Sequence, residues 1–223
     1  IPITEDIPPD LQTQKTIEAE RKRAYEVMNR EVGILTDPIQ LCDDHECAAG
    51  NLLADALLER VKDAELSLVL AGHWNTGLEA GLLTQGALFA AIRSPANPAR
   101  AELTGEQILQ FLRQALKPEN AARKLHALRG RAVGMPHVAG ARVRYSDDLE
   151  RTEVEINGEP LEKERTYIVA STDLQFADFI NYFVIPFEQI EFEVPTIAPE
   201  VLEDYITKHS PVQAPGVDRI TIL

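Results

Sequence analysis

The segment from Gly50 to Lys62, GNLLADALLERVK, constrains the fold more than any other stretch of the chain. Its apolar residues Leu52, Leu53, Ala56, Leu57 and Val61 recur at helical spacing. Close behind comes Leu66-Ser67-Leu68-Val69-Leu70, a short buried strand. An apolar helix beside a buried strand needs a layered core, and helices and strands interleave along the rest of the chain without a regular βαβ period. The predicted class is therefore α+β, a mixed sheet packed with helices.

Local signals place the other elements. Residues 1–9, with three prolines, read as an extended lead-in. From Asp10 to about Glu31 the spacing of Leu11, Ile17, Ala24, Val27 and Met28 among charged residues predicts an amphipathic helix, N-capped by Asp10 and ended by Gly33. Ile34, Leu35, Ile39 and Leu41 suggest an extended stretch broken at Pro38. Thr84 can cap a helix running through Ile92, and Thr104 another running to about Leu116, with Gln107 at the capping-box position. Ala141 to Tyr145 and Glu153 to Ile156 alternate like strands, and Asn157-Gly158 is the strongest hairpin signal, with Tyr167 to Ala170 expected as the return strand. A last helix is expected from Pro199 to Lys208, and a strand-like ending from Asp218 to Leu223.

Charge narrows the function. Of the formal −14, residues 145–223 contribute −12, from 17 acids against 5 bases. Such acidity argues against a nucleic-acid-binding protein, because phosphate contacts need clustered Lys and Arg. The exception is the acid-free stretch between Glu119 and Asp147, which holds Arg123, Lys124, Arg129, Arg131, Arg142 and Arg144 with His126 and His137. A phosphate site is one reading of it; the favoured one is that Arg142 and Arg144, alternating around Val143, line the polar face of a half-exposed strand. No run approaches the roughly 20 apolar residues of a membrane span. The start, Ile1-Pro2-Ile3-Thr4-Glu5, has neither an initiator Met nor a secretory pattern, as in a processed or trimmed chain.

Few residues carry a chemical signature. Nucleophile-elbow, Walker and dinucleotide glycine motifs are absent. Cys42 and Cys47 flank Asp43-Asp44-His45-Glu46, but no second ligand pair completes a zinc pattern, so no metal site is expected. The two cysteines read either as a disulfide closing a small loop, which implies an oxidising compartment, or as free thiols. The turn Gly72-His73-Trp74-Asn75-Thr76-Gly77, at the end of a buried strand, is the candidate ligand loop. There Trp74 offers either a stacking face or a core plug, and His73 either a donor or a solvated ring. Phe176, Phe179, Tyr182, Phe183 and Phe187 read as a packed helix face rather than a base-stacking platform.

Glu46-Cys47-Ala48-Ala49-Gly50-Asn51-Leu52-Leu53-Ala54-Asp55-Ala56-Leu57 resembles the ESNLGNLIADAL opening of the 5'-nucleotidase C-terminal domain. Further similar pieces follow in the family's order: Ala80 to Gly86, Glu102 to Gly105, Pro136 to Gly140, Ile156 to Leu161 running on to Ala170, and Val201 to Pro211. The resemblance divides the chain into a lead-in and interdomain linker helix, 1–40, and the C-terminal-like domain, 41–223. It implies a substrate-recognition domain that is not catalytic alone. Its partner would be an N-terminal metallophosphoesterase domain that holds two divalent metal ions, since hydrolysis by metal-activated hydroxide needs ligands this chain does not supply. No cofactor is expected in this chain itself.

The resemblance also implies where a small phosphorylated ligand would sit: Asn51, the turn Gly72, His73, Trp74 and Asn75, and the Asp173–Phe179 region with Asp173 and Phe176. Several positions depart from the family's pattern. The arginine of its NGGGIR turn falls on Asn75, its PFGN phenylalanine on Ser94, and its second aromatic near Leu174. The family's GGDGY becomes Asp178-Phe179-Ile180-Asn181-Tyr182. Each lost stacking ring removes about 1–3 kcal/mol per base contact, and each lost arginine removes a fork suited to phosphate. An altered substrate is therefore expected, such as a non-nucleotide phosphate ester, with a degenerate non-catalytic interaction domain as the alternative. The resemblance further implies an extracytoplasmic location and, from the C-x₄-C spacing, a Cys42–Cys47 disulfide.

Overall fold

In this computed structural model residues 10–125, 131–177, 182 and 185–223 are described. The lead-in 1–9, His126, Arg129, Phe179 and Phe183 lie outside them. The first helix, α1 (Leu11–Met28), starts where the sequence predicts, with the Asp10 carboxylate accepting the Thr13 N–H at 2.7 Å. It stops at Met28, before Gly33, because Glu31–Leu35 forms β1 and pairs antiparallel with β3 (Gly81–Thr84). The Ile39 and Leu78 backbones exchange hydrogen bonds as well. Residues 31–40, grouped by sequence with the linker, are thus built into the body. No residue of α1 is buried: its last turn rests on the helix Gln85–Ala91, where Met28 packs against Gly86, and the rest of its apolar stripe, including Leu11 at 73% and Tyr25 at 69% exposure, stands open.

The centre is a five-stranded sheet in the order β10-β4-β9-β2-β5, built from β2 (Leu66–Leu70), β4 (Pro98–Thr104), β5 (Pro136–Ala139), β9 (Thr166–Thr172) and β10 (Glu191–Phe192). Each face carries its own core. On one side α2 (Ala48–Arg60), α3 (Gln85–Ala91) and α7 (Ala198–His209) pack Leu52, Leu53, Leu57, Leu88 and Leu202 around Trp74. On the other, α4 (Gly105–Ala115) contributes Ile108, Phe111 and Leu112, and the short α5 (Pro118–Ala121) closes over it. The Thr104–Gln107 capping box forms as predicted.

A second sheet, in the order β11-β6-β7-β8, comprises β6 (Ala141–Tyr145), β7 (Thr152–Ile156), β8 (Glu159–Pro160) and β11 (Ile220–Ile222). Asn157 and Gly158 do make the turn, at φ of 52° and 86°. The return strand is β8, however, and not Tyr167 to Ala170. Those residues belong to β9, which is buried on both faces and lies between β4 and β2, a place that suits an uninterrupted apolar run. Arg142 and Arg144 are exposed on β6 and pair with Asp218 and with Glu153 and Glu155, the solvated-face outcome. The described members of the aromatic cluster do not share one helix face: Phe176 ends the four-residue α6 (Asp173–Phe176), and Tyr182 and Phe187 lie outside it. Phe176 is in the core, Tyr182 meets Phe111 edge-on at 5.7 Å, and Phe187 stands exposed against Phe192.

Candidate functional site

The candidate residues fall into two groups, and the strand geometry explains why. The parallel strands β2 and β9 pair only at Leu66–Val169 and Ser67–Ala170. Beyond that point, side chains take over the strand's hydrogen bonds. Gln175 donates to the Leu68 carbonyl (2.8 Å) and accepts from the Leu70 N–H (3.1 Å), and Ser171 Oγ also donates to Leu68 O at 2.6 Å. The Gln175 amide is wedged between the two carboxyl ends, which frees the turn after β2 and the start of α6 to face each other. Carboxyl ends that part in this way are where open sheets place ligands.

Across these strand ends runs a buried polar chain. His73 Nδ1 lies 2.8 Å from Ser94 Oγ, and its Nε2 lies 3.2 Å from Thr172 Oγ1. Burial lowers the ring's pKa to about 4, so it is neutral at pH 7 and acts as a bridge between two loops rather than a solvated donor. Trp74 is 1% exposed and packs in the core beneath, which resolves its alternative in favour of the plug. Gly72 donates its N–H to the Val133 carbonyl, and Phe176 is fully buried. Asn75 is the one member of the turn 72–75 whose side chain faces solvent; its backbone N–H is fixed on Ala91 O at 2.7 Å. Asp173 fixes the opposite loop, accepting the N–H groups of Asn97 (2.8 Å) and Leu174 (2.7 Å).

Asn51 does not join this site. Its Nδ2 donates to Glu46 Oε1 (2.6 Å) and to Gly216 O (2.7 Å). The Glu46 carboxylate also receives the N–H groups of Arg219 and Ile220. Arg219 in turn forks onto Asp55 at 2.7 and 2.8 Å, a bidentate clamp that ties β11 to α2. Sequence spacing put Asn51 on the right helix but could not say which of its neighbours would take its amide N–H groups.

Beside Asn51, Gly50 packs on the ring of His137, so closely that a Cβ at Gly50 would overlap the imidazole. The Cys47 N–H donates to His137 Nε2 at 3.0 Å, and Nδ1 meets the Met135 carbonyl at 3.1 Å, which requires the neutral ring with its proton on Nδ1. Burial holds the pKa of this ring, too, near 4. His137 therefore anchors the first turn of α2. Cys42 and Cys47 are free thiols in this structure rather than bridged, with Cys47 Sγ 3.7 Å from the Cys42 carbonyl oxygen. Burial, Cys47 and the nearby aspartates push the Cys42 thiol up.

Thr172 is what sequence reasoning missed at this site. Ser94 and Gln175 fall in segments the resemblance pointed to, Ser94 as a lost stacking ring, but their roles as the partner of His73 and the wedge after β2 show only where β2 and β9 end. Among the described residues, no group of three or more His, Cys, Asp or Glu side chains converges as metal ligands would. No described helix is long and apolar enough to cross a membrane.

Residues 28–184 match the family profile described as 5'-nucleotidase, C-terminal domain. The chain is 27% identical over 201 residues to the uncharacterized metallophosphoesterase YunD of Bacillus subtilis (strain 168), a match covering 87% of this chain and 42% of that protein. Among solved structures it is similar to the 5'-nucleotidase precursor of Thermus thermophilus, with a TM-score of 0.72 at 19% identity over 97% of this chain and 44% of that one. It is also similar to the NAD nucleotidase of Haemophilus influenzae, with a TM-score of 0.69 at 15% identity over 96% and 41%. A third is the sulfate thiohydrolase SoxB of Thermus thermophilus, at 0.67 and 19% over 98% and 40%. These structural likenesses speak to the fold alone, and the chain spans less than half the length of each of these relatives.

Proposed function

We propose, from the premise that this chain belongs to the 5'-nucleotidase C-terminal domain family, that it is the substrate-recognition half of a metal-dependent phosphoesterase with an altered substrate. The observation that carries the reading is the parting of the carboxyl ends of β2 and β9, where the buried Ser94–His73–Thr172 chain ties the turn 72–75 to the start of α6. In this reading Asn75 faces a small phosphorylated ligand, Asp173 fixes the opposite loop through the Asn97 and Leu174 N–H groups, and His73, Trp74 and Phe176 hold the site in shape. Two divalent metals and the hydrolytic chemistry they supply belong to a partner domain joined through α1. The exposed apolar residues Leu11, Ile17 and Tyr25 of α1 support that arrangement, as does the chain's span of less than half of each relative. An extracytoplasmic location and a Cys42–Cys47 bridge formed under oxidation go with the proposal.

A test assays the protein together with its metallophosphoesterase domain, with manganese and a panel of phosphate esters; turnover of none of them overturns the enzyme reading. A second reading, a degenerate binding domain that keeps the fold, is favoured by one observation: His73, Trp74 and Phe176 are all absorbed into packing. The residues upstream of Ile1 discriminate, because D-x-H and GNHE-type motifs there support the first reading and their absence supports the second. Under either reading the missing rings and arginines leave AMP affinity weaker than about 10 μM by calorimetry.

A further inference from the structure

Away from the ends of β2 and β9, a cavity of about 490 Å³ opens between the loop at Asp43, the α4–α5 connection and the turn after β6. Its volume is in the range of small-molecule sites. Its floor is core: Leu116, Ala121 and Met135, each under 10% exposed. Tyr145 and Leu149 form one wall. Among the described residues the lining contains Asp43, Asp44 and Asp147 but no Lys, Arg or His. Asp43 is paired with Arg131 at 2.7 Å and Asp44 with His45 at 2.6 Å. The exposed Asp147 carboxylate makes no hydrogen bond or ion pair among the described residues. An apolar floor with an aromatic ring and an uncompensated carboxylate at the rim is complementary to an apolar body ending in a cation.

From this complementarity we propose that the cavity binds a small organic ammonium compound, its hydrocarbon or aromatic part on Leu116 and Met135 and its protonated amine between Tyr145 and Asp147. The site is separate from the ends of β2 and β9 and does not rest on the proposed phosphoesterase role. A free phosphate ester is excluded from it by charge, since carboxylates and phosphate repel across such a rim.

The test is an NMR titration of the ¹⁵N-labelled 223-residue chain with three probes: 2-phenylethylammonium, the neutral 2-phenylethanol and the anionic 3-phenylpropionate. The expected order of affinity is ammonium, then alcohol, then carboxylate, with saturable shifts at Met135, Tyr145 and Leu149. Asp147→Asn, at an exposed position, weakens the ammonium by about three- to fivefold and leaves the alcohol unchanged. Ala122→Trp, which fills the mouth from an exposed position, abolishes binding of both, and a thermal melt checks that each variant folds. Equal affinity for ammonium and alcohol, no effect of Asp147→Asn, binding that survives Ala122→Trp, or no saturable shifts at all each overturns the proposal.

Discussion

Gly50→Ala is the substitution that best separates this structure from general rules about helices. Gly50 sits in the first turn of α2, and in an ordinary helix a change from glycine to alanine stabilises by up to about 1 kcal/mol. Here the new methyl meets the His137 imidazole, which is fully buried and held at both nitrogens. Relieving the overlap displaces the ring from the Cys47 N–H and the Met135 carbonyl, at about 1 kcal/mol per hydrogen bond, and strains the packing by about 1–3 kcal/mol. The net expectation is destabilisation by about 2–4 kcal/mol.

A double-mutant cycle with His137→Ala tests the cause. Without the ring, the Gly50→Ala methyl enters vacated space and becomes neutral or stabilising by up to about 1 kcal/mol, a coupling of about 3 kcal/mol. Urea denaturation followed by fluorescence provides the assay, because the only tryptophan, Trp74, is buried in the core that α2 packs against. If Gly50→Ala stabilises the wild-type chain, or costs the same in both backgrounds, the account of His137 as the anchor of α2 is wrong.

Other expectations follow from the same geometry. His73 and His137 have folded pKa values near 4, below the unfolded value of about 6.5, so the folded state binds fewer protons. Their contribution is complete above pH 6.5 and lost as pH falls toward 4, by about 2 kcal/mol for each ring at pH 5. Imidazole NMR that shows either ring titrating near pH 6.5 contradicts this. Asp55→Asn removes one side of the Arg219 fork and should cost about 2 kcal/mol; hydrogen exchange should accelerate at Ile220–Ile222, and unchanged protection there argues against the clamp. In the reduced protein a thiol reagent should modify the partly exposed Cys42 in the native state, slowed by its raised pKa, and the 2%-exposed Cys47 only on unfolding, so equal native rates count against the structure.

Local signals were legible in proportion to how local their physics is. Asp10, Thr84 and Thr104 cap helices where the sequence says, because a cap satisfies backbone groups within three residues. The Asn157-Gly158 turn was equally readable. Its return partner was not, since β9 pairs with β4 and β2 through contacts far apart in sequence. The strand Pro98–Thr104, PARAELT, gives little sequence signal because Thr104 at its end is its one β-branched residue and it has no aromatic, so it takes its place from its neighbours. At the site, the sequence located the turn after β2 but not the direction in which its side chains point. His73 and Trp74 face inward because the chain must cover the ends of two splayed strands there. The Gln175 wedge that makes room for them resembles, in sequence, any other polar residue.

The latch by which Glu46 holds the Arg219 and Ile220 N–H groups also bears on how the chain is made. The Glu46 carboxylate, at the threshold of α2, is completed by N–H groups that come 173 and 174 positions later, so the central helix depends on chain that leaves the ribosome last of all its contacts. Until residue 220 emerges, α2 has its apolar face and the His137 anchor but not that latch, and the nascent domain remains a partly closed species with one sheet unfinished. Closing so long a loop late in synthesis puts the finishing of this fold after translation of the latch residues rather than alongside it.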